Sequence, residues 1–387
     1  MTIQTKTHNN LTEAAPGLPA IWYHDPDQYQ RELGAIWRHS WVYVCHGSEI
    51  AEPRSFRTIE IGDQNVVVLR GSDGALKAFH NSCRHRGSIL CTERQGKLAS
   101  KLLVCPYHQW SYAADDGRLV RTTSVVEPEN FDKRDYPLFK VAVADWRGCI
   151  FVHLDPDAVF EPDRVFGRSS EAIDNFPLET MVVIDTWRKT MACNWKTFWE
   201  NFNECLHCPN IHPELSQLVP VYSRRISDPR DAIGWEERID DPDPRYRGGL
   251  RDGAETWSSD GSAQGHIIPD LSEADVTRGQ KYVTSYPGMF IGAYPDHVRI
   301  VRIMPLGPEE TEIVAEWLVP PETAADDAYD RSKVVDFAIL VMGQDAWASE
   351  LNQRGLHAAP LDHGVLMPEE RWVKDFHDWV RNALDRA

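Results

Sequence analysis

Two cysteine–histidine pairs constrain this chain more than any other feature: Cys83-Arg84-His85 and Cys105-Pro106-Tyr107-His108, with 19 residues between His85 and Cys105. Two thiolates and two imidazoles form a complete ligand set for one metal centre. Thiolate sulfur favours zinc or iron–sulfur clusters, and imidazole suits zinc or iron. Zinc would give a closed tetrahedral structural site. A [2Fe–2S] cluster with two Cys on one iron and two His on the other has a raised potential, because neutral imidazoles add less negative charge than thiolates. The flanking residues predict hairpins. Residues 66–69 and 76–79 read as strands around a Gly71 to Gly74 turn, and 102–104 as a strand that Pro106 breaks. Asp115-Asp116-Gly117 is a further hairpin turn. Ligands at the tips of two adjacent hairpins can converge on one centre.

A second histidine pattern follows about a hundred residues later, in Glu204-Cys205-Leu206-His207 and His212. Glu200, Glu204 and His207 are spaced to share one face of a helix. Pro209 interrupts a regular helix before His212, so the chain is expected to turn there and offer both imidazoles to one metal. Two His and one carboxylate with open coordination positions make a non-heme Fe(II) oxygenase site. The carboxylate is expected from Gly343-Gln344-Asp345-Ala346-Trp347-Ala348-Ser349-Glu350, with Asp345 preferred and Glu350 and Asp336 as alternatives. Glu200 reads as structural.

Cys83-Arg84-His85-Arg86-Gly87 and Cys105-Pro106-Tyr107-His108-Gln109-Trp110 resemble the paired loops of Rieske domains in aromatic-ring-hydroxylating-type oxygenases. The stretch from Gln344-Asp345 to Gly355-Leu356 resembles the late helix that carries the iron carboxylate in their alpha subunits. The separation of the first two loops is slightly longer than the family's, which a small loop insertion over residues 92–100 would explain. The resemblance implies an α+β chain: an all-β Rieske [2Fe–2S] domain and a helix-grip catalytic domain, with an antiparallel sheet around a long C-terminal helix. It implies a cluster on Cys83, His85, Cys105 and His108, and a mononuclear Fe(II) on His207, His212 and Asp345. Oxygen would be the co-substrate, with electrons from NAD(P)H delivered by a separate flavin/iron–sulfur reductase; no Gly-x-Gly-x-x-Gly follows a strand here. It further implies a head-to-tail homotrimer, in which the cluster of one subunit, through His108, faces Glu204 and His207 of its neighbour. Glu204 would then carry electrons between subunits, a heterologous contact that a cyclic trimer closes. The plainer role for Glu204 is to orient His207.

Along the chain, residues 1–40 read as a polar lead and a helix over 27–39. Residues 41–155 read as the all-β cluster domain, 156–180 as a Pro- and charge-rich connector, and 181–387 as the catalytic domain. Strands are expected over 182–190, 282–291, 298–305 and 312–319, loops over 221–280, and helices over 327–356 and 368–385. The 387 residues include no run of 18 or more apolar residues, and the first ten lack a signal-peptide apolar region. The net charge of −18 argues against a nucleic-acid partner. Eight scattered cysteines form no secreted-domain framework, and those other than Cys83 and Cys105 are expected to be reduced thiols in a cytoplasm. Cys205 and Cys208 are expected to pack beside the iron site without ligating it.

For the substrate, Glu200-Asn201-Phe202-Asn203-Glu204-Cys205-Leu206-His207-Cys208-Pro209, Tyr286-Pro287-Gly288-Met289-Phe290 and Trp317-Leu318-Val319 are similar to oxygenases of quaternary ammonium compounds such as glycine betaine, choline, carnitine and stachydrine. The quaternary ammonium group of such a small molecule cannot donate a hydrogen bond and is held by ring faces. Phe198, Trp199, Phe202, Trp257, Tyr286, Phe290 and Tyr294 are the candidate rings. The alternatives are a ring-hydroxylating dioxygenase acting on an aromatic compound, and a zinc-stabilised, non-enzymatic ligand-binding protein.

Overall fold

The computed structural model describes residues 13–386 except Ile233 and Ile239, and of Arg168 the backbone alone. The polar lead expected over residues 1–10 lies outside the described residues. Ten strands between Val42 and His153 build three small antiparallel sheets. Two of them carry the paired motifs: Leu76–His80 leads into Cys83, and Leu102–Val104 into Cys105. The Asp115-Asp116-Gly117 turn joins Ser111–Ala113 to Leu119–Arg121, with Gly117 at φ +78°. A Cβ at Gly117 would also sit 2.6 Å from the Phe79 ring, so a side chain is excluded there twice. The expected insertion over 92–100 is not a free loop. Gln95–Lys97 pairs with Ser55, Phe56 and Arg57 and extends the four-stranded sheet.

The second half is a five-stranded antiparallel sheet in the order Val182–Met191, Glu310–Val319, Val298–Gly307, Met289–Ala293, Lys281–Ser285. The strand expected over 282–291 is two strands. Pro287 has no N–H for the ladder, and a Cβ at Gly288 would lie 3.2 Å from the Trp37 ring, so the chain turns at Tyr286-Pro287-Gly288. The long helix is Ser332–Gly355 and the last is Arg371–Asp385, after a 3-10 turn at Pro368–Glu370. The first helix is Pro26–Ala35, capped by the Asp25 side chain, with a 3-10 turn at Trp37–His39. Ala15–Pro19 pairs with His363–Leu366. Its Pro-rich sequence reads as loop, and only a partner some 350 residues away makes it a strand.

The two halves share one core. Val44, Ile59, Val66 and Val68 from the cluster side pack in the same apolar cluster as Trp195, Val301, Ala315, Val334 and Phe376. Polar ties cross the same boundary: Tyr43 donates to Glu316 at 2.5 Å, and Arg94 pairs with Glu312 at 3.0 Å. The paired metal motifs are therefore held rigidly relative to the sheet.

The segment leading into the second histidine motif is anchored by a fully buried ion pair. Lys196 Nζ lies 2.7 Å from Glu32, both side chains are 0% exposed, and Trp195 Nε1 donates to the same carboxylate at 2.8 Å. A lone charge left behind in such a site is strongly unfavourable. Glu32→Ala is expected to destabilise the protein by about 3–5 kcal/mol, read as a lowered thermal midpoint. The double change Glu32→Leu with Lys196→Met should restore most of it. A loss no larger than about 0.5 kcal/mol, that of an ordinary surface change, would contradict this account.

Candidate active site

The two Cys–His loops are near copies of one another. In the first, Gly87 N–H donates to Cys83 O at 2.9 Å and Cys83 N–H to Ser88 O at 2.8 Å; in the second, Gln109 N–H donates to Cys105 O at 2.9 Å and Cys105 N–H to Trp110 O at 2.8 Å. Each closes through a left-handed residue, Gly87 at φ +76° and Gln109 at φ +58°. The thiols point inward, with Cys83 and Cys105 buried. The imidazoles lie outward, their ring centres 4.8 Å apart, and His85 stacks on Trp110 at 4.8 Å. The Tyr112 hydroxyl accepts the Arg84 N–H at 3.0 Å and sits 3.2 Å from Cys83 Sγ, where it can donate to a thiolate. Thiols on one side and imidazoles on the other suit a two-iron cluster. A single tetrahedral ion would draw all four to one point.

That convergence is found in the second motif. Among the described residues, His207, His212 and Asp345 are the one group of three or more such ligands able to hold a metal ion, their ligand atoms within 4.8 Å of one another. The helix that starts this motif is shorter than its spacing predicts. Trp195–Phe202 stops before Glu204, so Glu204 and His207 do not share a helix face. Instead the Glu204 carboxylate accepts the backbone N–H groups of Leu206 and His207, closing a tight turn, and also contacts His207 Nδ1. Cys208–Ile211 then makes one helical turn with Pro209 inside it, and His212 follows. The two rings meet edge to face at 5.1 Å.

Each ring has one nitrogen committed and one free for a metal. His207 Nδ1 faces Glu204, and its Nε2 lies 3.4 Å from Asp345 Oδ1. His212 Nδ1 lies 2.8 Å from Gln344 Oε1, and its Nε2 2.8 Å from Asp345 Oδ1. Nδ1–H held by an acceptor leaves the Nε2 lone pair for a metal. Burial opposes charge on His207, but hydrogen bonds to Asp345 and Glu204 outweigh it and raise its pKa to about 10. Burial likewise opposes charge on Asp345, yet the two imidazoles hold it down to about 2. This donor set demands positive charge, which a divalent cation on the two Nε2 atoms and Oδ1 supplies. Glu350 accepts the Ala192 N–H and Asp336 is exposed, so neither alternative carboxylate joins the group.

The remaining expected residues sort themselves around a cavity of about 1410 Å³ that reaches the triad. Phe198, Phe202, Trp257, Tyr286 and Phe290 line it; Trp199 and Tyr294 are buried in the core and do not. Cys205 and Cys208 line it beside His207, and burial pushes the Cys205 thiol well up, which keeps it protonated. Glu200 ties the ends of the chain together: Tyr23 donates to it, and His377 Nε2 lies 2.7 Å away. Sequence reading missed Gln344, whose signal was its place beside Asp345. It also missed Arg299, whose signal was a single cation inside the apolar run Val298-Arg299-Ile300-Val301.

The family model for the ring hydroxylating alpha subunit (catalytic domain) matches residues 178–386, and that for the Rieske [2Fe-2S] domain matches residues 40–134. The oxygenase subunit of glycine betaine monooxygenase from Chromohalobacter salexigens is 31% identical over 95% of this chain and 85% of its own length. The fold is shared with the quaternary ammonium Rieske monooxygenase CntA, at TM-score 0.73, 20% identity and 95% of both chains. It is also shared with naphthalene 1,2-dioxygenase from Rhodococcus, at TM-score 0.71, 19% identity, 95% of this chain and 94% of that one. Nothing in these matches supports the zinc-stabilised binding protein. The chain belongs to the Rieske-type ring-hydroxylating oxygenase alpha-subunit family, the [2Fe–2S] and non-heme iron oxygenases.

Proposed function

We propose that this oxygenase hydroxylates or N-demethylates a small quaternary ammonium substrate. Its [2Fe–2S] cluster sits on Cys83, His85, Cys105 and His108, and its iron on His207, His212 and Asp345. The observation that carries the substrate class is the aromatic wall of the cavity beside the triad. The Phe202 and Phe290 rings lie 4.3 Å apart, Tyr282 is 5.8 Å from Phe202, and Phe198 stacks on Phe202 at 6.3 Å. A cation without hydrogen-bond donors is held by such ring faces, each worth about 0.5–2 kcal/mol. The glycine betaine enzyme supports the same class by its likeness over the whole chain.

The iron, when bound, supplies oxygen activation, with electrons relayed by the cluster from a flavin/iron–sulfur reductase that oxidises NAD(P)H. The chain's own residues do the rest. The aromatic wall positions an N-methyl or neighbouring carbon at the triad and keeps water away from it. Glu204 holds the Nδ1 proton of His207 and so fixes the ring with Nε2 toward the metal. In a homotrimer it also faces His108 of the adjacent subunit's cluster and passes electrons inward. Hydroxylation of an N-methyl group gives a carbinolamine, which loses formaldehyde. A cytoplasmic setting suits the cysteines outside the cluster, none of which forms a disulfide. Among the described residues no helix is long and apolar enough to cross a membrane.

Metal and product analysis tests this reading. Anaerobically purified protein is expected to hold about three irons and two sulfides per chain. With a matched reductase it should release formaldehyde from a quaternary N-methyl substrate. A cis-diol from an aromatic compound would establish the ring-hydroxylating dioxygenase instead, and a colourless zinc protein would remove the oxygenase assignment.

A further inference from the structure

Among the described residues, Arg299 is the one buried cation on the cavity wall, and no carboxylate pairs with it; Arg224 and Arg278 on the same wall are not buried. Arg230 faces Asp228, Arg238 faces Asp241 at 3.1 Å, Arg247 faces Asp252 at 3.0 Å, and Lys281 faces Asp275 at 2.8 Å. Arg299 is 4% exposed, lies on Val298–Gly307 between Gly292 and Trp317, and lines the cavity. Its guanidinium donates once, from Nη2 to the Tyr294 hydroxyl at 2.9 Å; Nε and Nη1 have no partner among the described residues. Tyr294 is itself fully buried, and a Cβ at Gly292 would lie 2.6 Å from its hydroxyl. The cross-strand glycine thus keeps room for the hydroxyl that positions Arg299. Tyr294 takes one Nη2 hydrogen, and whichever it takes, the opposite edge of the guanidinium keeps a parallel pair of free donors. That edge matches a carboxylate. Nearby, Trp257 is buried on the same wall, its ring 5.2 Å from Tyr294, and its Nε1–H also lacks a partner.

A guanidinium stays charged under all ordinary conditions. Burying one without a counter-charge is costly, and cavity walls retain such groups when a ligand completes them. We propose that Arg299, together with the Trp257 N–H, binds a carboxylate on the substrate. The inference rests on the substrate occupying this cavity, as proposed above, and narrows its class. The substrate is a zwitterion, with its cationic end on the Phe198, Phe202 and Phe290 faces and its carboxylate at Arg299. A purely cationic alcohol would meet an uncompensated positive charge.

The test is a calorimetric binding panel on the metal-loaded enzyme without reductant. Each scaffold is offered as a carboxylate and as the matching alcohol: glycine betaine against choline, phenylacetate against 2-phenylethanol, and 4-methylpentanoate against 4-methylpentanol. At least one carboxylate is expected to bind tenfold or more (roughly, for a charge-paired site) tighter than its alcohol. Arg299→Gln should abolish that advantage and Trp257→Phe should reduce it, with alcohol binding little changed. Alcohols binding as tightly as carboxylates, an advantage that survives Arg299→Gln, or no carboxylate binding at all would each overturn the site. If Arg299→Gln does not fold, the wild-type preference and Trp257→Phe decide. An Arg299-dependent advantage confined to phenylacetate would keep the carboxylate site and remove the quaternary ammonium reading. Choline binding as well as glycine betaine, with no carboxylate favoured, would do the reverse.

Discussion

Asp345→Ala is expected to lower turnover on the order of 10³-fold, the equivalent of about 4 kcal/mol of lost metal-ion catalysis, while the cluster's visible spectrum stays intact. Asp345 is the carboxylate that both imidazoles share, 2.8 Å from His212 Nε2 and 3.4 Å from His207 Nε2. Without it two neutral nitrogens face each other and little holds a divalent ion. Iron should fall from about three to about two per chain. Gln344→Leu, which frees His212 Nδ1, should weaken iron binding by about 10–100-fold. Glu350→Ala and Asp336→Ala should leave the iron count unchanged. Iron retained in Asp345→Ala at normal turnover would reassign the carboxylate, and Glu350→Ala would then be the next variant to examine.

A mixed assembly should restore what each parent lacks. Cys83→Ser protein has no cluster, and His207→Ala protein has no iron; each alone is expected to be inactive. Co-assembled, a subunit with a cluster can sit beside a subunit with iron, and oxidation should return to a readily measured fraction of wild type. That outcome requires electrons to cross between subunits, the role proposed for Glu204. Adding Glu204→Gln to the iron-bearing subunit keeps the geometry of the turn but removes the charge. It should slow oxidation of the reduced cluster by 100-fold or more, beyond the roughly 10–100-fold of a partner that only orients a ligand. Inactive mixed assemblies of correct size and metal content would place the transfer within one chain. Glu204→Gln that retains both metals and a normal rate would leave Glu204 as the group that orients His207 and nothing more.

Much of the molecule was legible because its chemistry is local in sequence. Cys83, His85, Cys105 and His108 announce a mixed thiolate–imidazole centre by residue type and spacing, and alternating apolar residues around Gly and Pro announce the hairpins that carry them. His207 and His212 stand out for the same reason. The helix expected to join Glu204 to His207 is absent because a carboxylate capping backbone N–H groups offers the chain a tight turn in place of another helical turn. Periodicity does not report that competition.

Other features depend on groups distant in the chain. Ala15–Pro19 is a strand only because His363–Leu366 lies beside it, and Gln95–Lys97 only because Ser55 to Arg57 does. Seven aromatic residues had equal claims to the substrate; packing sent Trp199 and Tyr294 to the core and left Phe198, Phe202, Trp257, Tyr286 and Phe290 on the cavity. Asp345 and Arg299 are, in sequence, one acid in an amphipathic helix and one base in an apolar strand. The sequence by itself determined which ligand types are present and which loops could bring them together. The tertiary structure decided which carboxylate meets the histidines, because Asp345 lies more than a hundred positions from His207 and His212, and which cation is buried without a carboxylate, because burial depends on packing that no local pattern encodes.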